Sequence, residues 1–190
     1  MPDNKPAHDA VDIALELSRY FSEHHHEYAL GGALALGYWA APRGTVDLDV
    51  TLYLSSSDPD DCVSVLQDAG CELGRTDAML SLREHGFCRV ARRGFQVDVF
   101  MPTIPFYELA KSRRRCVLLD GQTVYIWDAE TLCVFKMMFF RLKDLADVEQ
   151  ILRVQQQLDR RWVHNQLVQI YGDRDPRITR WNDLIELVNS

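Results

Sequence analysis

Apolar residues recur at helical spacing at the start of the chain. Val11, Leu15, Leu17 and Phe21 predict a first helix over 7–24. The period then shortens. Tyr28 to Leu30 is a short strand running into Gly31-Gly32, and Ala33 to Ala40 is a helix that Pro42 and Gly44 end. Val46 to Leu54 is the clearest strand: Val46, Leu48 and Val50 would face a core while Asp47 and Asp49 share the opposite face, because successive side chains point to opposite sides. Asp58-Pro59 opens a helix to Ala69 by a cap and a first-turn proline, and a short helix follows from Thr76 toward His85. Phe87–Ala91 and Phe95–Met101 predict a hairpin that turns at Arg92-Arg93-Gly94. Pro105 to Arg114 is a helix, with two short strands after it, near Val117 and near Val124. Beyond Trp127 the pattern is helical: Asp128-Ala-Glu-Thr resembles a helix start, and the helices are expected over Thr131–Phe140, Asp144–Gln157, Trp162–Tyr171 and Ile178–Asn189. The expectation is an α/β (α+β) fold: a short twisted mixed sheet with flanking helices over 1–126, followed by a C-terminal helical segment over 127–190 packed on that core.

The strand acids carry the chemistry. Aspartate is poorly suited to strands, so Asp47 and Asp49 together need a reason. Two carboxylates side by side repel unless a positive charge lies between them, and a divalent metal with oxygen ligands supplies one. The other reading is an ordinary half-exposed strand with its polar residues outward. Asp98 stands in a second apolar run, F-Q-V-D-V-F, where a lone carboxylate is costly unless it is paired or metal-bound. Strands placed side by side would bring three carboxylates together; a salt bridge from Asp98 to a nearby arginine is the alternative. The glycine pair in A-L-G-G-A-L-A-L-G lets the backbone approach a ligand, and the following helix offers its N–H groups to phosphate, although a tight strand-to-helix turn explains it as well.

Composition narrows the classes. At 190 residues and 47% hydrophobic, the chain fits one globular domain or a core with an extension. No apolar run approaches the roughly 20 residues of a membrane span, and the N-terminal residues lack the pattern of a secretory leader. Five scattered cysteines without C-x-x-C spacing read as buried free thiols of a cytoplasmic protein, not as a zinc site. The net charge of −7 argues against a dedicated nucleic-acid binder, yet Arg89, Arg92, Arg93, Lys111, Arg113, Arg114 and Arg115 crowd the middle of the chain, as a solvated surface or a phosphate-docking one. His24-His25-His26 would point three ways from a helix end and cannot share one ion well, and the four tryptophans are read as core residues.

Taken together, Gly31-Gly32, Asp47-x-Asp49 and Asp98 resemble the DNA polymerase beta-type nucleotidyltransferase superfamily. The extended form G-G-A-L-A-L-G…R-G-T-V-D-L-D is similar to its branch of abortive-infection toxins and small antibiotic nucleotidyltransferases, and K-M-M-F-F-R-L-K-D supplies the lysine, arginine and basic-Asp pair common in that branch's helical half. The resemblance covers roughly residues 28–150 as a pattern match. It implies transfer of a nucleoside monophosphate from a nucleoside triphosphate to an acceptor hydroxyl, with two Mg2+ ions on Asp47, Asp49 and Asp98. It further implies phosphate seating by Gly31 and Gly32 and a counter-charge from Lys136. Arg43, Thr45, Lys143 and Asp144 would be nucleotide-binding. For Lys136 the alternative is a snorkelling surface lysine. One departure is Gly32-Ala33, where the family usually has Gly-Ser or Gly-Thr, so a phosphate-binding hydroxyl is missing.

Three acceptor readings follow. Lys111, Arg113, Arg114 and Arg115 could dock tRNA or another RNA, as for an RNA-directed toxin held in check by a cognate antitoxin. The acidic net charge instead fits a small cationic acceptor such as an antibiotic. Ala33 alone supports a non-catalytic nucleotide-binding module.

Overall fold

The computed structural model describes residues 9–54 and 58–189. Within them the chain runs α1 (Ala10–Glu23), β1 (Glu27–Leu30), α2 (Gly32–Trp39), β2 (Asp47–Tyr53), α3 (Pro59–Asp68), α4 (Arg75–His85), β3 (Phe87–Arg92) and β4 (Phe95–Phe100). It continues through α5 (Phe106–Ser112), β5 (Arg115–Leu119), β6 (Gln122–Ile126), α6 (Ala129–Phe139), α7 (Leu142–Val154), α8 (Arg160–Tyr171) and α9 (Pro176–Asn189). The expected start of the first helix, at Ala7, lies outside the described residues; the helix that is seen begins after Asp9, whose carboxylate accepts from the N–H groups of Val11 and Asp12.

The strands form one six-stranded mixed sheet in the order β3-β4-β2-β1-β6-β5. The pairs β1–β2 and β3–β4 are antiparallel, and β2–β4 is parallel, so α3, α4 and β3 make the crossover between β2 and β4. This is the expected α+β class with a mixed sheet. The chain divides into two compact units. One comprises the residues up to Leu30, Gly44–Thr103 and Cys116–Tyr125; its core joins Ile13, Leu17 and Phe21 of α1 with Leu48, Val50 and Leu52 of β2, Val97 and Val99 of β4, and Cys62, Val63 and Leu66 of α3. The other comprises Gly31–Arg43, Ile104–Arg115 and the chain from Ile126 onward, with Leu36, Leu132, Met137, Val148, Ile151, Val163, Leu167 and Trp181 at its centre.

Three local features differ from expectation, each for a physical reason. Val46 is 80% exposed and faces no core, because the β2–β4 ladder starts at Asp47. The helix start expected at Asp128 is seen, with α6 beginning at Ala129, whereas the helix expected from Trp162 begins at Arg160. Asp128 and Asp159 cap them by accepting from the N–H groups of Thr131 and Trp162, so the apolar stripe becomes visible only after the first turn has formed. The β3–β4 turn is shorter than the expected Arg92-Arg93-Gly94. Only Arg93 and Gly94 lie between the strands, both with positive φ (51° and 77°), as a tight hairpin of right-handed twist requires. That one-residue difference sets the register: Arg89 stands opposite Asp98, where a three-residue turn would have set it opposite Val97 and on the other face.

The cysteines match their expected setting. Cys62, Cys71, Cys88 and Cys133 are buried and free, and Cys116 is exposed. Burial pushes the Cys62 and Cys88 thiols up to about 12, which leaves them protonated and unreactive. Among the described residues no helix is long and apolar enough to cross a membrane.

Candidate active site

The alternation of β2 puts Asp47 and Asp49 on one face, and Leu48 and Val50, both buried, on the other. In the parallel ladder Asp49 is the register partner of Asp98, and Asp47 that of Gln96. Three carboxylates from two neighbouring strands therefore share one face of the sheet. Asp47 and Asp49 are half-buried, while Asp98 is only 7% exposed. Thr45 serves the first of them: its hydroxyl donates to Asp47 Oδ1 at 2.6 Å and fixes the start of the strand.

A cation already stands in this row. Arg89 Nε and Nη2 donate to Asp98 Oδ1 and Oδ2 at 2.8 and 3.0 Å, a two-pronged pairing, and Gln96 Nε2 lies 3.3 Å from Oδ1. The Arg89 pKa is raised, first by the hydrogen bonds to Asp98 and by its charge, then by the charges of Asp47 and Asp49. The guanidinium is thus held by Asp98, and the charges of Asp47 and Asp49 add a weaker attraction. Carboxylates suit a hard cation such as Mg2+, and a guanidinium drawn to the same row shows that positive charge is favoured there. With both Asp98 oxygens turned to Arg89, however, no three carboxylate, imidazole or thiol groups are gathered to hold a metal among the described residues. Asp98 takes the arginine partner that the sequence left open as its alternative.

In the unit that contains α2, α6 and α7, a second set of charges is buried. Lys136 is 3% exposed and donates from Nζ to Asp147 Oδ2 at 2.6 Å. Arg43 closes on the same carboxylate through Nε and Nη2 at 3.0 and 2.9 Å. Burial would push the Asp147 pKa up; the hydrogen bonds and charges of Arg43 and Lys136 outweigh it and hold the carboxyl below its ordinary value. The snorkelling reading of Lys136 is corrected here, since its ammonium points to a buried acid and not to solvent. Sequence reasoning passed over Asp147. Its signal was present, because Asp144, Asp147, Val148, Ile151 and Leu152 form one buried stripe of α7 and Lys136 lies in the buried stripe of α6. Opposite charges in two buried stripes need each other.

The remaining candidates take these places. Gly31 precedes α2 without a side-chain cap, and Gly32 opens the helix at a φ of 53°, a conformation in which a larger residue would be strained. Ala33 is buried in the first turn. Asp144 is buried and accepts from the Arg141 backbone N–H and guanidinium, which ties down the start of α7, and Lys143 is exposed. Arg113 pairs with Asp128 at 2.7 Å and Glu130 at 3.2 Å and lies over the Trp162 ring. Arg114 Nε donates to the Lys111 carbonyl, and Arg115 is exposed at the start of β5. Arg92 and Arg93 both pair with Glu16.

No protein-family model and no curated protein sequence matches the chain. Solved structures do. An antigenic nucleotidyltransferase-like protein from Paracoccidioides brasiliensis aligns with a TM-score of 0.54 at 16% identity, over 90% of this chain and 93% of its own. The antibiotic-resistance factor ANT(2'')-Ia aligns with a TM-score of 0.58 at 11% identity, over 94% and 96%. The fold is a nucleotidyltransferase fold. At these identities the likeness is one of fold, and the chemistry rests on this chain's own side chains. In this nucleotidyltransferase fold the acids of β2 and β4 lie on one face of the sheet.

Proposed function

We propose that the protein transfers a nucleoside monophosphate from a nucleoside triphosphate to an acceptor hydroxyl and releases pyrophosphate. The observation that carries the reading is the placement of Asp47, Asp49 and Asp98 on one sheet face, with Asp49 and Asp98 in register. Asp47, Asp49 and Asp98 would hold Mg2+, which when bound neutralises triphosphate charge and lowers the pKa of a coordinated hydroxyl. The chain's own residues do the rest. Asp98, on the strand beside the edge strand β3, would accept the proton of the acceptor hydroxyl, directly or through a water. Thr45 keeps Asp47 in place. Gly31 and Gly32, at the first turn of α2, offer backbone N–H groups to the terminal phosphates, and the absent hydroxyl at Ala33 leaves that task to the backbone. Lys136 and Arg43 set the charge of the α6–α7 pair through Asp147. Positioning and charge neutralisation supply most of the catalysis in phosphoryl transfer.

For the acceptor we favour a small cationic molecule over RNA. Of the four basic residues proposed to dock RNA, Arg113 is committed to Asp128 and Glu130, and in the wider basic cluster Arg92 and Arg93 are committed to Glu16 and Arg89 to Asp98. The net charge of −7 favours a cation, and ANT(2'')-Ia, of similar fold, is an antibiotic-resistance factor. The same commitments of arginine weigh against an RNA-directed toxin with an antitoxin partner. The deciding experiment incubates the protein with each labelled nucleoside triphosphate, Mg2+ and, in parallel, polyhydroxylated cationic small molecules or total RNA. Label is expected on a small molecule. Label on RNA, with affinity falling steeply as salt rises, would overturn the small-acceptor reading.

A further inference from the structure

Arg89 is left unused by the mechanism, although it makes the closest contact with the third acid. We infer that Arg89 is a built-in counter-ion of Asp98 that competes with a divalent cation for the three carboxylates, so that loading is favoured when Asp98 is released from it. The inference rests on the metal reading above and concerns what opposes loading of that site.

Three observations on β3 and β4 carry it. Arg89 faces Asp98 across the antiparallel ladder and grips both carboxylate oxygens, at 2.8 and 3.0 Å. Each Asp98 oxygen keeps a further lone pair, but the two-pronged pairing fixes the carboxylate's orientation and puts a positive charge beside it, and both oppose Mg2+, which demands close, near-octahedral oxygen geometry. The second observation is the other neighbour of Asp98. Its register partner on the far side is Asp49, so Arg89 and a metal would draw Asp98 in opposite directions along the row. The third is exposure. Arg89 lies on β3, at the edge of the sheet, and its side chain is 58% exposed, whereas that of Asp98 is 10% exposed. An edge arginine can leave for solvent with little loss of packing; the buried acid cannot. The charges of Asp47 and Asp49 add to the attraction that Asp98 exerts on the same guanidinium.

Arg89 is accordingly a positioning residue that sets the divalent-cation concentration at which Asp98 turns toward Asp49. It also offsets part of the charge at a place where adjacent carboxylates would otherwise repel.

The test reads metal binding and not turnover. Mn2+ is titrated into the intact protein without nucleotide, with free Mn2+ followed by electron paramagnetic resonance, for wild type, Arg89→Gln, Arg93→Gln and Asp49→Asn. Thermal unfolding confirms that each variant is folded. Arg89→Gln is expected to bind Mn2+ roughly ten- to a hundredfold more tightly than wild type, the range that hydrogen bonds to charged groups cover. Arg93→Gln, which loses a pairing with Glu16 only, is expected to match wild type. Asp49→Asn is expected to lose binding. If wild type binds Mn2+ through Asp49 while Arg89→Gln binds equally or more weakly, the role of Arg89 is overturned and the metal reading stands. If no variant binds Mn2+, or if Asp49→Asn binds like wild type, the metal reading falls and the role of Arg89 falls with it.

Discussion

Asp49→Asn is expected to abolish nucleotidyl transfer while the fold survives. Asp49 is the central acid of the row, with Asp47 two positions before it on the same face and Asp98 in register beside it. Asparagine keeps the shape and removes the charge, so the donor set loses a hard anionic oxygen. Mutating partners that merely orient metal ligands costs about 10- to 100-fold, so losing a ligand itself should cost more than about a hundredfold. Asp49 is half-buried next to two other carboxylates, so removing its charge relieves repulsion between like charges while giving up attraction to the Arg89 guanidinium. The melting temperature should therefore change little. Single-turnover kinetics with thermal unfolding checks both halves; a variant that kept most of its activity would remove Asp49 from the chemistry.

Asp147→Ala is expected to act in the opposite sense, on stability first. Asp147 is 2% exposed and accepts from Lys136 and Arg43 together. Alanine would leave the Lys136 ammonium buried, with the Arg43 guanidinium beside it. Removing one partner of a buried pair costs about 3–5 kcal/mol, a large share of the roughly 5–15 kcal/mol that holds a domain together. Denaturant unfolding measures the loss, and a loss below about 1 kcal/mol would contradict the buried-pair account. The pH dependence has a definite sign. The folded-state pKa of Asp147 lies below its ordinary value of 3.8. Its stabilisation is thus full above that value and is lost as pH falls through the lower, folded-state pKa. The wild type should lose this contribution in strong acid, and Asp147→Ala should show a flatter acid limb.

The parts of the molecule that could be read from sequence are those set by local periodicity. The twofold alternation around Asp47 and Asp49 placed both acids on one face, and the apolar flanks of Asp98 marked β4 as a strand. The glycine pair marked the β1–α2 turn. What depended on register or on two distant elements was harder to read. Arg89 and Asp98 meet because the β3–β4 turn holds only Arg93 and Gly94, and a turn longer by one residue reverses the face on which Arg89 emerges. Lys136 and Asp147 meet because the buried stripes of α6 and α7 face each other, a pairing that neither helix declares alone. The basic cluster of the linear sequence is likewise divided. Arg92 and Arg93 pair with Glu16 and Arg89 with Asp98 in one unit, and Arg113 pairs with Asp128 and Glu130 in the other, which charge counting along the chain does not reveal.

The most direct measurement of the central claim follows the two ends of the triphosphate separately. The protein is incubated with Mg2+, a hydroxyl-bearing acceptor and a nucleoside triphosphate labelled at the α- or at the γ-phosphorus. Nucleotidyl transfer predicts that α-label moves to the acceptor, that γ-label appears in pyrophosphate, and that Asp49→Asn does neither. Transfer of γ-label to the acceptor, or α-label transfer that survives Asp49→Asn, would contradict the account.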